Sequence, residues 1–177
     1  VCGLIDLYEA GFDTRWLAAA RELARDMVEC FGDKDAGAFY HASADTPHLI
    51  VRVKELYDGA IPSGNSVAAH SLLRLGRLLG DRWFEERGEA ALVAWSSAIT
   101  AQPTGFPWAL MALDFKLGPV SEIVLAGAPG DASLQALVRT VQRRFLPRKV
   151  LVLQQAGESG AAIRELVPYA ASLGLVG

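Results

Sequence analysis

One arrangement limits the fold of this chain more than any other. A helix ends at a glycine, and an aspartate starts the next helix almost at once. Tyr8-Glu9-Ala10-Gly11-Phe12-Asp13-Thr14-Arg15-Trp16 does this near the start, and Leu78-Leu79-Gly80-Asp81-Arg82-Trp83 repeats it in outline. Glycine tolerates the left-handed backbone that closes a helix, and an aspartate side chain accepts the free N–H groups that open one. Units of this kind stack as αα-hairpins, each with an apolar flank that a neighbour must cover.

The surrounding pattern agrees. Up to Ala10 the chain is helical, with Leu4, Leu7 and Tyr8 on one side. From Asp13 to about Phe31 the residues Trp16, Ala20, Leu23, Ala24, Met27, Val28 and Phe31 form one stripe at helical spacing. A polar turn follows, then two short β-prone pieces, residues 38–41 and 49–53, which are expected to pair as a hairpin. Residues 63–79 are apolar on much of the helix circumference, so that helix is expected to be buried on more than one side. Residues 82–99 and 108–117 read as two further helices, the last ended by Gly118-Pro119.

After Pro119 the pattern changes. Residues 122–127 and 149–153 read as buried strands. A helix capped by Asp131 and running to Phe145 lies between them. This is a βαβ unit, which requires parallel strands. Residues 161–173 close the chain as a helix, with Pro168 as a kink or an early break. The expected architecture is mostly α, with residues 1–119 as a helical-hairpin region and 120–177 as a βαβα appendage. Gly127-Ala128-Pro129-Gly130-Asp131 is glycine-rich but is not GxGxxG, and a tight strand-to-helix turn accounts for it.

Composition excludes several functions. The net charge of −3 argues against a nucleic-acid surface. Arg143, Arg144, Arg148 and Lys149, the densest basic cluster, are expected on a solvated helix end. Cys2 and Cys30 have no metal-ligand spacing and read as buried thiols of a reducing, cytoplasmic compartment. His41, His48 and His70 follow no ligand pattern, so neither a metal nor a cofactor is expected. No apolar run is long enough to span a membrane. The opening Val1-Cys2-Gly3-Leu4 resembles the middle of an amphipathic helix, so a longer parent protein is expected.

The chemistry concentrates in Lys54-Glu55-Leu56-Tyr57-Asp58-Gly59-Ala60-Ile61-Pro62-Ser63-Gly64-Asn65-Ser66. Asp-Gly and Ile-Pro make residues 58–62 a turn. Ser63 is then an N-cap, with Asn65 and Ser66 in the first helical turn. From the residues alone two readings stay open: a cap and turn, or a helix mouth that receives an anionic or hydroxyl-rich ligand.

This stretch, with Gly37-Ala38-Phe39-Tyr40 before it and Leu72-Leu73-Arg74-Leu75 and residues 122–127 after it, resembles the spermatogenesis-associated thioredoxin-like proteins and their bacterial and archaeal relatives. The resemblance covers nearly the whole chain. It implies a partial (α/α) six-hairpin toroid, similar to those of N-acylglucosamine 2-epimerases and glycoside-processing enzymes. It also implies a preceding thioredoxin-like domain that is not in this chain. It maps sugar-handling positions onto Glu55, Tyr57, Asp58, Asn65 and Ser66, with Phe39, Tyr40 and Trp108 as stacking surfaces. None of the histidines matches the epimerases' acid–base groups, so epimerase chemistry is not transferred.

Two functions follow as expectations. In the first, Glu55 and Asp58 are an acid–base pair acting on a sugar. Tyr57, Asn65, Ser66, Tyr40 and Trp108 would then hold the substrate. Lys54 or Arg52 could instead tie either acid into a structural salt bridge. In the second, the chain is a non-catalytic ligand-binding or scaffold module serving the thioredoxin-like domain. Exposed apolar flanks around Leu4, Leu7, Trp83 and Trp95 are expected, or a homodimer that covers them.

Overall fold

The computed structural model describes residues 1–47 and 49–171. The chain begins with two helices, α1 (Cys2–Gly11) and α2 (Thr14–Phe31), followed after a long irregular segment by α3 (Gly64–Leu79) and α4 (Arg82–Ala94). A short α5 (Ser96–Ala101) and a 3-10 turn (Pro103–Gly105) lead to α6 (Pro107–Leu117). Then come β1 (Ser121–Gly127), α7 (Ala132–Gln142), β2 (Lys149–Gln155), α8 (Glu158–Leu166) and α9 (Pro168–Ala171). The molecule is mostly helical with a small two-stranded parallel sheet, in which Ser121 lies opposite Lys149 and Gly127 opposite Gln155.

Aspartate caps set the helix starts as the sequence implies. The carboxylates of Asp13, Asp81 and Asp131 each accept the backbone N–H two residues on. The glycine rule holds at Gly80, which ends α3 with φ 65°. In the first unit the left-handed residue is Phe12 (φ 56°), one position past Gly11. α4 and α5 replace the single helix expected over 82–99, because the chain breaks at Trp95. Val167 interrupts the closing helix before Pro168, as the early-break reading expects, and residue 173 lies outside the described residues.

α3 is the hub of the core. It packs against α4 and α6 most extensively and is buried over most of its circumference. Gly88 makes the approach of α4 possible. A Cβ there would lie 2.9 Å from Ala69 O, in hard contact with α3. β2 lies against α1 and α3, and its Val150 and Val152 join the same core as Ile5, Leu72 and Ile163.

Several local expectations are corrected. α1 turns Ile5, Tyr8 and Glu9 inward, and Leu7 is half exposed. α2 buries Leu17 with Ala20 and Ala24, leaving Leu23 on the surface. The 38–41 and 49–53 hairpin does not form. Phe39 instead makes an isolated antiparallel bridge with Gly32, and one backbone bond, His41 N to Val53 O, links the two pieces. Of the flanks expected to be open, Leu7 is exposed, whereas Leu4, Trp83 and Trp95 are half-buried against the core. Cys2 and Cys30 are free and half-buried rather than buried. Among the described residues no helix is long and apolar enough to cross a membrane.

One buried carboxylate joins α1 to the sheet. Glu9 accepts from Lys149 Nζ at 2.9 Å and from Leu151 N at 3.3 Å, and Arg74 of α3 approaches it at 3.5 Å. Gln142 of α7 donates to the carbonyls of Glu9 and Ala10. Arg148 is likewise paired, with Asp114, while Arg143 and Arg144 stay in solvent.

Candidate functional site around the start of helix α3

Ser63 caps α3 as its sequence position requires. Its Oγ accepts the N–H of Ser66 at 3.1 Å and donates to Ser66 Oγ at 2.9 Å. Both serines are buried, so the first turn of α3 is closed on itself.

Asp58 is the centre of the turn. One carboxylate oxygen accepts Ser63 N at 2.8 Å. The other accepts Trp108 N at 2.9 Å and Ala109 N at 3.1 Å. The residue preceding α6, Phe106, offers no side-chain cap, and Pro107 has no N–H to give. Asp58 therefore caps α6 from 50 residues away while bracing the turn before α3. It is 5% exposed, and its own N–H bonds Gly105 O at 3.0 Å.

Asn65 stitches two separate segments to α3. Its Oδ1 accepts Phe39 N at 2.7 Å, and its Nδ2 donates to Phe39 O at 2.9 Å and Glu55 O at 2.7 Å. All of its hydrogen-bonding groups have backbone partners. Between the segments it holds lies a cleft of about 180 Å³, lined by Tyr40, His41, Glu55 and Asn65 over a floor that includes Phe31 and Phe39. A larger groove of about 1080 Å³ runs between α2, the 32–39 turn and α4, past Trp83, Arg87 and Lys34.

The structure divides the expected site residues. Tyr40, Glu55 and Asn65 border the small cleft. Asp58, Ser66 and Trp108 do not line it. Tyr57 stands exposed with its ring edge-on to Phe106 and close over Gly105. Among the described residues Glu55 makes no side-chain hydrogen bond or ion pair, so there the two acids share no partner. His48 lies outside the described residues. Among the described residues no group of His, Cys, Asp and Glu is arranged to hold a metal.

Lys54 pairs with neither Glu55 nor Asp58. Its ammonium bonds Asp33, which also accepts from Tyr40 Oη at 2.8 Å and from the N–H groups of Asp35 and Ala36. The Lys54 ammonium, first among these donors, holds the Asp33 carboxyl well below the usual carboxylate range. Arg52 bonds the carbonyls of Ala42 and Cys30 and lies 4.0 Å over the Tyr40 ring. Asp33 is missed by sequence reasoning because its partner is 21 residues away.

His70 is a second residue that the motifs overlook. It is 8% exposed, edge-on to Trp108 and Phe115, with Arg74 and Asp6 as the charges facing it. Burial, then Arg74, lowers its pKa from 6.5 to about 4, so the imidazole is neutral near pH 7. The unfolded chain takes up the proton first on acidification. Stability is therefore expected to fall by roughly 2–3 kcal/mol as pH drops from 6.5 to 4, then to level off. Urea titrations at pH 7 and pH 4.5 check this. His70→Gln should flatten that part of the profile.

No family model matches the chain. Over 174 residues, 98% of its length, it is 34% identical to spermatogenesis-associated protein 20 of Rattus norvegicus. It is 33% identical over the same length to the proteins of that name from Mus musculus and Homo sapiens. In each comparison the match occupies 22% of the relative, so the chain spans about a fifth of the length of the curated relatives it matches.

Proposed function

We propose that this chain is a non-catalytic helical module of a longer protein similar to spermatogenesis-associated protein 20. The stretch around Asp58 is a structural joint in this reading. The observation that carries it is the Asp58 carboxylate, whose two oxygens are committed to three backbone N–H groups. A general acid or base must exchange a proton with its substrate. Asp58 is buried and turned toward helix starts instead. The module would serve a thioredoxin-like domain of the parent, and its successive pairs α1–α2 and α3–α4 support a partial (α/α) toroid as the fuller architecture.

A second reading keeps a carbohydrate ligand. It rests on Glu55, a carboxylate without a partner among the described residues, beside Tyr40 at the small cleft. That cleft falls below the about 300–1,000 Å³ of ordinary ligand pockets, which favours the scaffold. Thermal melting with a panel of mono- and disaccharides separates the two. The expected result is no shift for the wild type or for Glu55→Gln. A saccharide that raises the melting temperature of the wild type but not of Glu55→Gln would overturn the scaffold reading.

A further inference from the structure

Charge is unevenly spread along this chain. Residues 132–149 hold five basic side chains and no acidic one, whereas the whole chain has a net charge of −3. The basic excess therefore sits in α7 and the segment that follows it. Two of the five are engaged inside the fold, Arg148 with Asp114 and Lys149 with Glu9. The other three, Arg139, Arg143 and Arg144, are exposed and have no side-chain hydrogen bond or ion pair among the described residues.

α7 is a peripheral helix that packs chiefly on β1. Its inward stripe is Leu134, which is buried, with Val138 and Val141, which are half-buried. Arg139 and Arg143, four residues apart, share the opposite side. Directly after Arg144 come Phe145, 90% exposed, and Leu146, 40% exposed. Uncompensated cations and exposed apolar side chains thus stand next to one another.

We propose that this end of α7 docks on an anionic lipid bilayer, with the arginines among the headgroup phosphates and Phe145 and Leu146 at the acyl boundary beneath them. Charge complementarity calls for an anionic partner, and Phe145 decides its kind. A soluble polyanion answers the arginines alone. A bilayer presents phosphate and hydrocarbon at adjacent depths, which matches both parts of this surface. The rest of the chain is more acidic than the whole, so an anionic surface repels it and leaves α7 facing the lipid. The contact is peripheral, because among the described residues no helix is long and apolar enough to cross a membrane. It is also reversible. Each arginine near an anionic surface raises affinity roughly fivefold, and the aromatic ring adds roughly tenfold.

Co-sedimentation with sucrose-loaded vesicles tests the proposal, using phosphatidylcholine alone or with about 30% phosphatidylserine, in about 0.1 M salt. The wild type should pellet with the phosphatidylserine vesicles and stay in solution with phosphatidylcholine, and about 0.5 M salt should release it. The Arg139→Gln, Arg143→Gln double variant should lose roughly 25-fold in affinity, and Phe145→Ser roughly tenfold. All three positions are exposed, so circular dichroism should show both variants folded. Arg82→Gln, at an exposed position of α4, should bind as the wild type does. Binding to neither vesicle, equal binding to both, or a double variant that binds like the wild type overturns the proposal. Phe145→Ser binding as tightly as the wild type overturns it too, and leaves a surface that reads acidic charge on any macromolecule.

Discussion

Glu9→Ala is expected to lower the stability of this protein by about 3–5 kcal/mol. The side chain is 9% exposed and receives Lys149, Arg74 and the N–H of Leu151. Removing it leaves Lys149, with a side chain only 17% exposed, facing no carboxylate, beside an orphaned backbone donor, while Arg74 keeps Asp6 at 2.9 Å. Glu9→Gln keeps the shape and an acceptor but not the charge, so it should recover part of the loss. Urea denaturation measures both. The midpoint should fall while the slope stays unchanged, because the surface exposed on unfolding is the same. A loss under about 1 kcal/mol would mean that solvent satisfies Lys149 and that Asp6 suffices for Arg74.

Asp58→Ala is the second large effect, expected at about 3 kcal/mol. Three backbone donors lose a charged acceptor, each such bond being worth about 1.5–3 kcal/mol, and water entering the gap recovers some of the loss. For a chain of this size that corresponds to a fall in melting temperature of roughly 6–12 °C. Asp58→Asn retains one acceptor oxygen and should lose about half as much. The damage should also be directional, since Asp58 caps α6 as well as bracing the turn before α3. Amide exchange at Trp108 and Ala109 should accelerate more than at the middle of α3. Equal acceleration throughout would show that the carboxylate does not act as a helix cap.

Much of the local structure was legible in the residues. Asp13, Ser63, Asp81 and Asp131 cap where their spacing places them, because a cap bonds a neighbour two or three positions away. The parallel strands followed from two apolar runs separated by one helix. What could not be read depends on distant partners. The β-branched run at 49–53 forms no strand and keeps a single backbone bond, His41 N to Val53 O, since strand preference reflects what lies alongside. The inward face of α1 is not legible in the sequence because it includes Glu9, a charge that periodicity assigns to solvent. At the candidate site Asp58 stands out in the sequence but its partners do not, for nothing local connects it to Trp108, 50 residues on.

The clasp at Glu9 also orders events in time. It joins α1 to residues about 140 positions later, whereas the pairs α1–α2 and α3–α4 close over short turns. Short-range contacts form early because little chain entropy is lost in making them, and the most distant come late. The two ends of this chain therefore meet after the helical pairs are built, and Glu9 should be unbonded at the folding barrier. Its replacement would leave the rate of folding nearly intact and hasten unfolding, so the same ion cluster governs how long the native state lasts.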